Sequence, residues 1–150
     1  MRSAEPISRQ AEEGAFGILD RDEAEGAYRC NYPQFVDVYR WMVRMSERNH
    51  IRLCLLLCTL KPDRKEQEII SGHQMERFGK LLEKSIRCSD VYTRYSLNKY
   101  LVLLTDFGEK QAAEVAVQLC QNWKAFEKEE KVRIELEIQE VEAASEKNNI

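Results

Sequence analysis

One stretch, residues 87–107, constrains the fold of this chain more than any other. Its sequence, RCSDVYTRYSLNKYLVLLTDF, predicts the end of a helix, a short strand, a tight turn and a second strand. The second arm, Tyr100 to Asp106, is apolar enough to lie inside a sheet rather than at its edge. Another apolar run, Ile51 to Leu60, is short and predicts a central strand covered on both faces.

The periodicity of apolar residues predicts the other elements. A short strand at 27–30 leads to a first helix that Asn31 caps, that has Pro33 in its first turn, and that extends to about Asn49. The remaining elements are a second helix at about 75–87, a third helix at about 110–129 and a last strand at 132–141. The last strand alternates apolar and polar residues, which indicates one solvent-facing side and a position near the sheet edge.

The element order is therefore (β)αβαββαβ, and it predicts an α+β protein with a ferredoxin-like layout. We expect one mainly antiparallel sheet of four or five strands, with the helices on one face. The residues expected to be buried in its core are Leu55, Leu57, Leu101, Leu103, Leu119 and Ile134.

The length of 150 residues fits one domain, which we place at residues 26–142. Residues 1–25 are polar and acidic and are expected to be a linker or a flexible lead-in. The last residues, 143–150, are expected to fray.

Composition excludes several classes of function. The net charge of −3 gives no electrostatic sign of nucleic-acid binding, so we expect this chain itself to contact no nucleic acid. No apolar run approaches the roughly 20 residues of a membrane helix, and the first residues lack the apolar core of a signal peptide. We therefore expect a cytoplasmic protein that does not contact the membrane.

The five cysteines are scattered through the chain and odd in number, which argues against a set of disulfides. Cys54 and Cys58 lie four residues apart on a predicted strand, so both should face one side of the sheet. Both histidines, His50 and His73, lie elsewhere in the sequence. We expect buried, reduced thiols and no metal site.

The hairpin and the element order together resemble the GGDEF domain, the bacterial module that makes cyclic di-GMP. The resemblance covers about residues 26–142 and is closest to a divergent branch attached to transcriptional activators and response regulators. The residues just before the family signature also fit the family pattern, at Arg87, Asp90, Arg94 and Tyr95. The segments that carry the resemblance to the branch are GAYRCNYPQF at residues 26–35, LLCTL at residues 56–60 and SDVYTRYSLNKYLVLL at residues 89–104.

In that family, two carboxylate positions hold Mg²⁺ over GTP, and the resemblance maps one of them to residues 58–60 and the other to Asn98 and Lys99. The five signature positions hold Ser96, Leu97, Asn98, Lys99 and Tyr100. Mg²⁺ requires oxygen ligands, chiefly carboxylates and phosphates. The resemblance thus implies a degenerate signature with no catalytic residues, no cofactor and no metal. We therefore expect that the chain is not an enzyme.

Two further sequence motifs of the family have alternative explanations in this chain. Arg87 and Asp90 match the R-x-x-D site that binds cyclic di-GMP in the family, but an arginine at a helix end and an aspartate in the following turn also have structural roles. Gly72 and His73 match a G-H pair at the start of a family helix, but they are also explained by a helix start with Ser71 as its cap.

The leading hypothesis is a non-catalytic regulatory module of a larger bacterial transcriptional or signal-transduction protein, which acts through protein contacts. The alternative is a receptor that binds cyclic di-GMP or another nucleotide through Arg87 and Asp90. A remote alternative is an active diguanylate cyclase.

The aromatic residues of the first helix exceed what one helix needs for docking on one sheet. We expect Tyr32, Tyr39 and Trp41, together with the strand at 26–30, to contact another copy of the chain or an upstream domain, because exposed apolar patches mark such contacts. Alternatively, residues 1–30 fold back over this face within one molecule.

Overall fold

The computed structural model describes residues 26–63, 69–126 and 132–142. The elements in chain order are β1 (Tyr28–Arg29), α1 (Tyr32–Asn49), β2 (Leu53–Pro62), α2 (Gly72–Ser85), β3 (Val91–Ser96), β4 (Lys99–Thr105), α3 (Glu109–Phe126) and β5 (Val132–Glu140). The expectations for residues 1–25, for the tail 143–150 and for the end of the third helix at 127–129 lie outside the described residues.

Local sequence signals define where α1 and α2 begin. The Asn31 side chain accepts from the backbone N–H of Gln34 at 2.9 Å, and the Gln34 side chain accepts from the backbone N–H of Asn31 at 3.0 Å. Ser71 and Gln74 form the same reciprocal pair at the start of α2. Each pair satisfies two N–H groups that a helix start leaves without partners. The predicted cap at Asn31 is confirmed, and α2 begins at Gly72, earlier than the sequence predicted.

The five strands form one sheet in the order β1-β3-β4-β2-β5. The β1–β3 pair is parallel and the other three pairs are antiparallel. The hairpin predicted at residues 87–107 joins β3 to β4. The strand predicted at 51–60 is β2, which pairs with β4 on one side and β5 on the other. The predicted α+β fold with a mainly antiparallel sheet is confirmed, as is the edge position of the last strand.

The helices lie on both faces of the sheet, so the expectation of helices on one face was wrong. Helices α2 and α3 pack on the face that contains Leu56, Tyr100 and Val102. Helix α1 packs alone on the opposite face, where Phe35 contacts the cluster around Leu103. The element order specifies which strands are neighbours, but the face on which a helix packs also depends on the direction in which the chain leaves β1.

The uneven distribution of helices determines which predicted core residues are buried. Leu103 and Leu119 are fully buried, as predicted. Leu55, Leu57, Leu101 and Ile134 are only partly buried. The strand β2 is therefore covered completely on the face of α2 and α3 and incompletely on the face of α1. The expectation that both of its faces are covered was wrong because one helix is too narrow to cover five strands.

All five cysteines are free, as predicted. Cys54 and Cys58 lie on the same face of β2, within the cluster under α2 and α3. Burial raises the pKa of both thiols, so they remain protonated and act as small apolar side chains. Cys88 is exposed. Within 26–63, 69–126 and 132–142, no helix is long and apolar enough to cross a membrane.

Candidate functional site

The turn between β3 and β4 lies against the end of β2. The Leu60 backbone N–H donates to the Asn98 carbonyl at 2.8 Å, and the Asn98 side-chain amide donates to the Leu60 carbonyl at 3.1 Å. In the same region Thr59 is the cross-strand neighbour of Lys99. The structure therefore brings together the two positions that the sequence assigned to the metal sites of the GGDEF family.

The side chains at these positions differ from the ligands that Mg²⁺ prefers. Cys58 and Leu60 are fully buried on the face of α2 and α3. Thr59 and Lys99 lie on the opposite face and are half-buried. A hydroxyl and an ammonium group do not supply the carboxylate oxygens that a magnesium ion requires. No group of three metal-ligating side chains is present in the parts of the chain that the structure describes.

The tip of the hairpin projects into solvent. Leu97 has 81% of its surface exposed. Arg94 donates to the carbonyls of Ser96 and Leu97 at 3.4 and 3.3 Å, which holds the turn closed. The Tyr95 ring lies 5.3 Å from the Tyr32 ring in an edge-to-face arrangement. The tip thus exposes the Leu97 side chain, and the Tyr95 ring contacts the start of α1.

Asp90 lies at the opposite end of β3, and its side chain is 1% exposed. One carboxylate oxygen accepts from the Arg87 backbone N–H at 2.9 Å, and the other accepts from the Thr105 backbone N–H at 3.1 Å. The Arg87 guanidinium donates to both oxygens, at 3.2 and 3.0 Å. This carboxylate therefore connects the end of α2 to the end of β4, and both of its oxygens have protein partners.

The guanidinium of Arg87 has further contacts. It donates to the Thr105 carbonyl and lies over the Phe107 ring, with Cζ 3.7 Å from the ring centre. These contacts match the structural explanation of the R-x-x-D pair, in which both residues stabilise the turn after α2. Any ligand here would have to contact the exposed part of Arg87, because Asp90 is enclosed.

The outer surface of α1 carries the residues expected to form an interface. Trp41 is 57% exposed and Tyr32 is also exposed, whereas Tyr39 is half-buried and packs against the sheet. The Gly72–His73 pair occupies the first turn of α2 behind the Ser71 cap, which agrees with the helix-start explanation.

The sequence did not predict a trough on the sheet beside α1. This trough is open to solvent, has a volume of about 240 Å³ and is lined by Tyr32, Phe35, Val36, Tyr39, Leu55 and Leu101. The signal for it was present in the last strand. Glu135 and Glu137 predict a solvent-facing side of β5, and such a strand beside β2 implies that the adjacent surface is not fully covered.

Comparison with known proteins gives relatives by structure only. No family model matches the chain, and no curated protein sequence matches it. The diguanylate cyclase SiaD of Pseudomonas aeruginosa, solved in complex with its activator SiaC, superposes with a TM-score of 0.69 at 15% identity, over 99% of this chain and 65% of SiaD. The chain has the fold of GGDEF domains.

Two other structures support this assignment of the fold. The active GGEEF domain of a diguanylate cyclase from Vibrio cholerae superposes with a TM-score of 0.64 at 16% identity, over 75% of this chain and 77% of that domain. The coiled coil and GGDEF domain of DgcB from Caulobacter crescentus, solved with c-di-GMP, gives 0.65 at 11% identity, over 94% of this chain and 80% of that chain.

These comparisons correct one expectation. Residues 96–100 led to the prediction that the chain is not an enzyme, but SiaD and the Vibrio cholerae domain, which share its fold, are diguanylate cyclases. The comparisons therefore contradict that prediction, which rested on the side chains of one hairpin.

Proposed function

We propose that the chain is a signalling module of the cyclic di-GMP system, which regulates a larger bacterial transcriptional or signal-transduction protein through protein contacts. The fold supports the first part of the proposal, because it is shared with SiaD and with DgcB, which was solved bound to c-di-GMP. The sequence segments at 26–35, 56–60 and 89–104 support placement in the divergent branch found in transcriptional activators.

The observation that carries the second part is the exposure of Trp41. This side chain is 57% exposed, and it lies about 200° around the helix from Tyr39, which packs on the sheet. Tryptophan is among the residues most enriched at the energetic centres of protein interfaces. Helix α1 therefore has one face for its own sheet and a second face suited to a partner.

A cell-based experiment tests this proposal. The chromosomal gene is changed to encode Trp41→Glu, and a fluorescent reporter of the cyclic di-GMP response is measured. We expect the reporter signal to change while the protein level and thermal midpoint stay the same. Val117→Glu is the matched control because Val117, on α3, is also 57% exposed. Equal signals from the two variants would contradict the proposal.

A second candidate function is the synthesis of cyclic di-GMP, which the cyclases of the same fold favour. The reaction would take place where Asn98 contacts the end of β2. The test is incubation with GTP and Mg²⁺ and quantification of cyclic di-GMP by mass spectrometry, with Asn98→Ala for comparison. Product from the wild type that decreases in the variant supports this candidate, and a wild type without product removes it.

Calorimetry with cyclic di-GMP tests the receptor alternative separately. Because Asp90 is already saturated by Arg87 and Thr105, binding through this pair would have to break contacts that hold the turn. A binding heat that disappears in Arg87→Ala would support a receptor. A binding heat that persists in Arg87→Ala would assign the ligand to another part of the chain.

A further inference from the structure

We propose that residues 26–30 form a releasable strap, which keeps the turn from Arg87 to Asp90 closed when it is docked and lets that turn open when it is released. The strap leads directly into α1, so it couples the helix that carries Trp41 to the turn that carries Arg87. The inference goes beyond the proposed function, and its tests use the chain alone and require no partner.

The docked strap bridges the two sides of the turn. The Ala27 N–H donates to the Glu83 carbonyl of α2 at 3.2 Å, and the Tyr28 N–H donates to the Asp90 carbonyl at 3.0 Å. The Glu83 carbonyl is among the last four of α2, the groups for which a helix end provides few partners of its own. Two consecutive residues of the strap therefore hold the helix before the turn and the residue that ends the turn.

The turn itself depends on the position of Asp90. The Asp90 N–H donates to the Arg87 carbonyl at 2.9 Å. The Asp90 carboxylate accepts from the N–H groups of Arg87 and Thr105, at 2.9 and 3.1 Å. One residue thus takes part in both sets of contacts, those of the strap and those of the turn. Because coupling between two such contacts is reciprocal, weakening either set should weaken the other.

The docked strap buries little apolar surface, which makes it releasable. It contains the edge strand β1, which has two residues and pairs with β3. Its buried side chains, Ala27 and Cys30, are small, whereas Tyr28 is 51% exposed. Arg29 pairs with Glu76 at 3.6 Å, but both side chains are about half exposed, and such pairs add little stability. Segments of this kind open locally while the rest of a protein stays folded.

Gly26 determines how the chain enters the strap. Its φ of +91° is a backbone conformation that residues with a side chain rarely adopt. A methyl group at this position would also collide with the Glu83 carbonyl oxygen. The same oxygen accepts from the Ala27 N–H, so alanine at position 26 should separate the strap from α2.

The other end of the strap is continuous with α1. The Cys30 N–H donates to the Tyr92 carbonyl at 3.1 Å, and the next residue, Asn31, is the N-cap of the helix. Cys30 and Phe35 belong to one apolar cluster between α1 and the sheet. A contact that shifts α1 therefore shifts the end of the strap, and the strap transmits this change to the turn.

Thiol labelling of the full chain is the first test, because Cys30 lies in the strap and Cys58 lies under α2 and α3. Relative to their rates in unfolded protein, we expect iodoacetamide to modify Cys30 at least about tenfold faster than Cys58. Gly26→Ala should raise the Cys30 rate by at least about tenfold. Gly72→Ala is the matched control, because a methyl group there meets no atom within 4 Å. Equal relative rates of the two wild-type thiols would overturn the proposal, as would equal Cys30 rates in the two variants.

A second test measures the coupling between the turn and the strap. The Arg87 side chain contacts Asp90 and Thr105, so Arg87→Ala disturbs the turn directly. We expect it to raise the Cys30 rate by at least about tenfold. Arg94→Ala, which removes an arginine at the other end of β3, should leave this rate unchanged.

The outcome at Cys30 decides the coupling. If Arg87→Ala lowers the thermal midpoint but leaves the Cys30 rate unchanged, the strap opens while the turn stays closed, and the proposal is refuted. An equal increase in Arg94→Ala would also refute it. Circular dichroism verifies that each variant is folded, and the comparison of the two wild-type thiols decides the proposal if a variant is not.

Discussion

Gly79, in the middle of α2, is expected to be required because of one side chain beneath it. A methyl group at this position would lie 2.5 Å from the Tyr100 hydroxyl oxygen and 3.1 Å from the ring carbon that bears it. Tyr100 is fully buried, and its hydroxyl donates to the Met75 carbonyl at 2.9 Å. Burial raises the pKa of this phenol, so the hydroxyl remains a donor. The tyrosine therefore cannot move aside without losing a hydrogen bond.

The free-energy change for Gly79→Ala combines two opposing effects. Overpacking of a dense core destabilises the protein by about 1–3 kcal/mol, whereas replacing glycine by alanine inside a helix stabilises it by about 1 kcal/mol. The net result in the wild type should be a loss of about 1 kcal/mol. In the Tyr100→Phe background the oxygen at 2.5 Å is absent, so the same change should be neutral or slightly stabilising. The effect of Gly79→Ala therefore depends on Tyr100.

Urea denaturation of the four proteins in this cycle measures both effects. Tyr100→Phe alone should cost about 1 kcal/mol through the lost hydrogen bond to Met75. For a chain of this size, 1 kcal/mol corresponds to a shift of roughly 2–4 °C in the thermal midpoint, which provides an independent measurement. If Gly79→Ala has the same effect with tyrosine and with phenylalanine at position 100, the proposed steric cause is refuted.

Three further predictions follow from individual contacts. Asp90→Ala should reduce the free energy of unfolding by about 2–3 kcal/mol, measured by urea denaturation, because it leaves a buried N–H of β4 without an acceptor; a loss below 1 kcal/mol would contradict this. Iodoacetamide should modify Cys88 in the folded protein and reach Cys58 only after unfolding, as mass spectrometry of digested samples can show. In Lys61→Ala, an NMR titration should show a higher pKa for the Glu135 carboxyl, because the ion pair that lowers this pKa is removed. In the wild type the ion pair stabilises the fold above the unfolded pKa of Glu135, and this stabilisation is lost as pH falls through the folded pKa. An unchanged titration would refute the pairing.

Much of the fold could be predicted because its signals are local. The N-cap at Asn31 and the alternation of apolar and charged residues along β5 depend on neighbours within a few residues. The α+β layout with a mainly antiparallel sheet followed from the order of the elements along the chain. The candidate site was predicted only in part. The sequence identified residues 58–60 and the hairpin separately, and the contact between Leu60 and Asn98 shows that they are adjacent.

The exposure of individual side chains could not be predicted in the same way. Leu57 and Leu103 are leucines on adjacent strands that face the same side of the sheet, yet Leu57 is only partly buried and Leu103 is fully buried. The difference is the position of α1, which is determined by contacts between residues far apart in the chain. Likewise, the role of Asp90 depends on Thr105, fifteen residues later, whose N–H it accepts.

The sequence by itself determined which segments become helices and strands, because periodicity and capping act over one or two turns of chain. It also determined that the hairpin positions hold an amide and an ammonium group, Asn98 and Lys99. Only the tertiary structure decided that a single helix covers one face of five strands, and that the resulting trough is lined by aromatic side chains of α1 together with Leu55 and Leu101. The physical reason is that burial is a property of assembled layers, and a residue's own neighbours in the chain do not specify which layer will cover it.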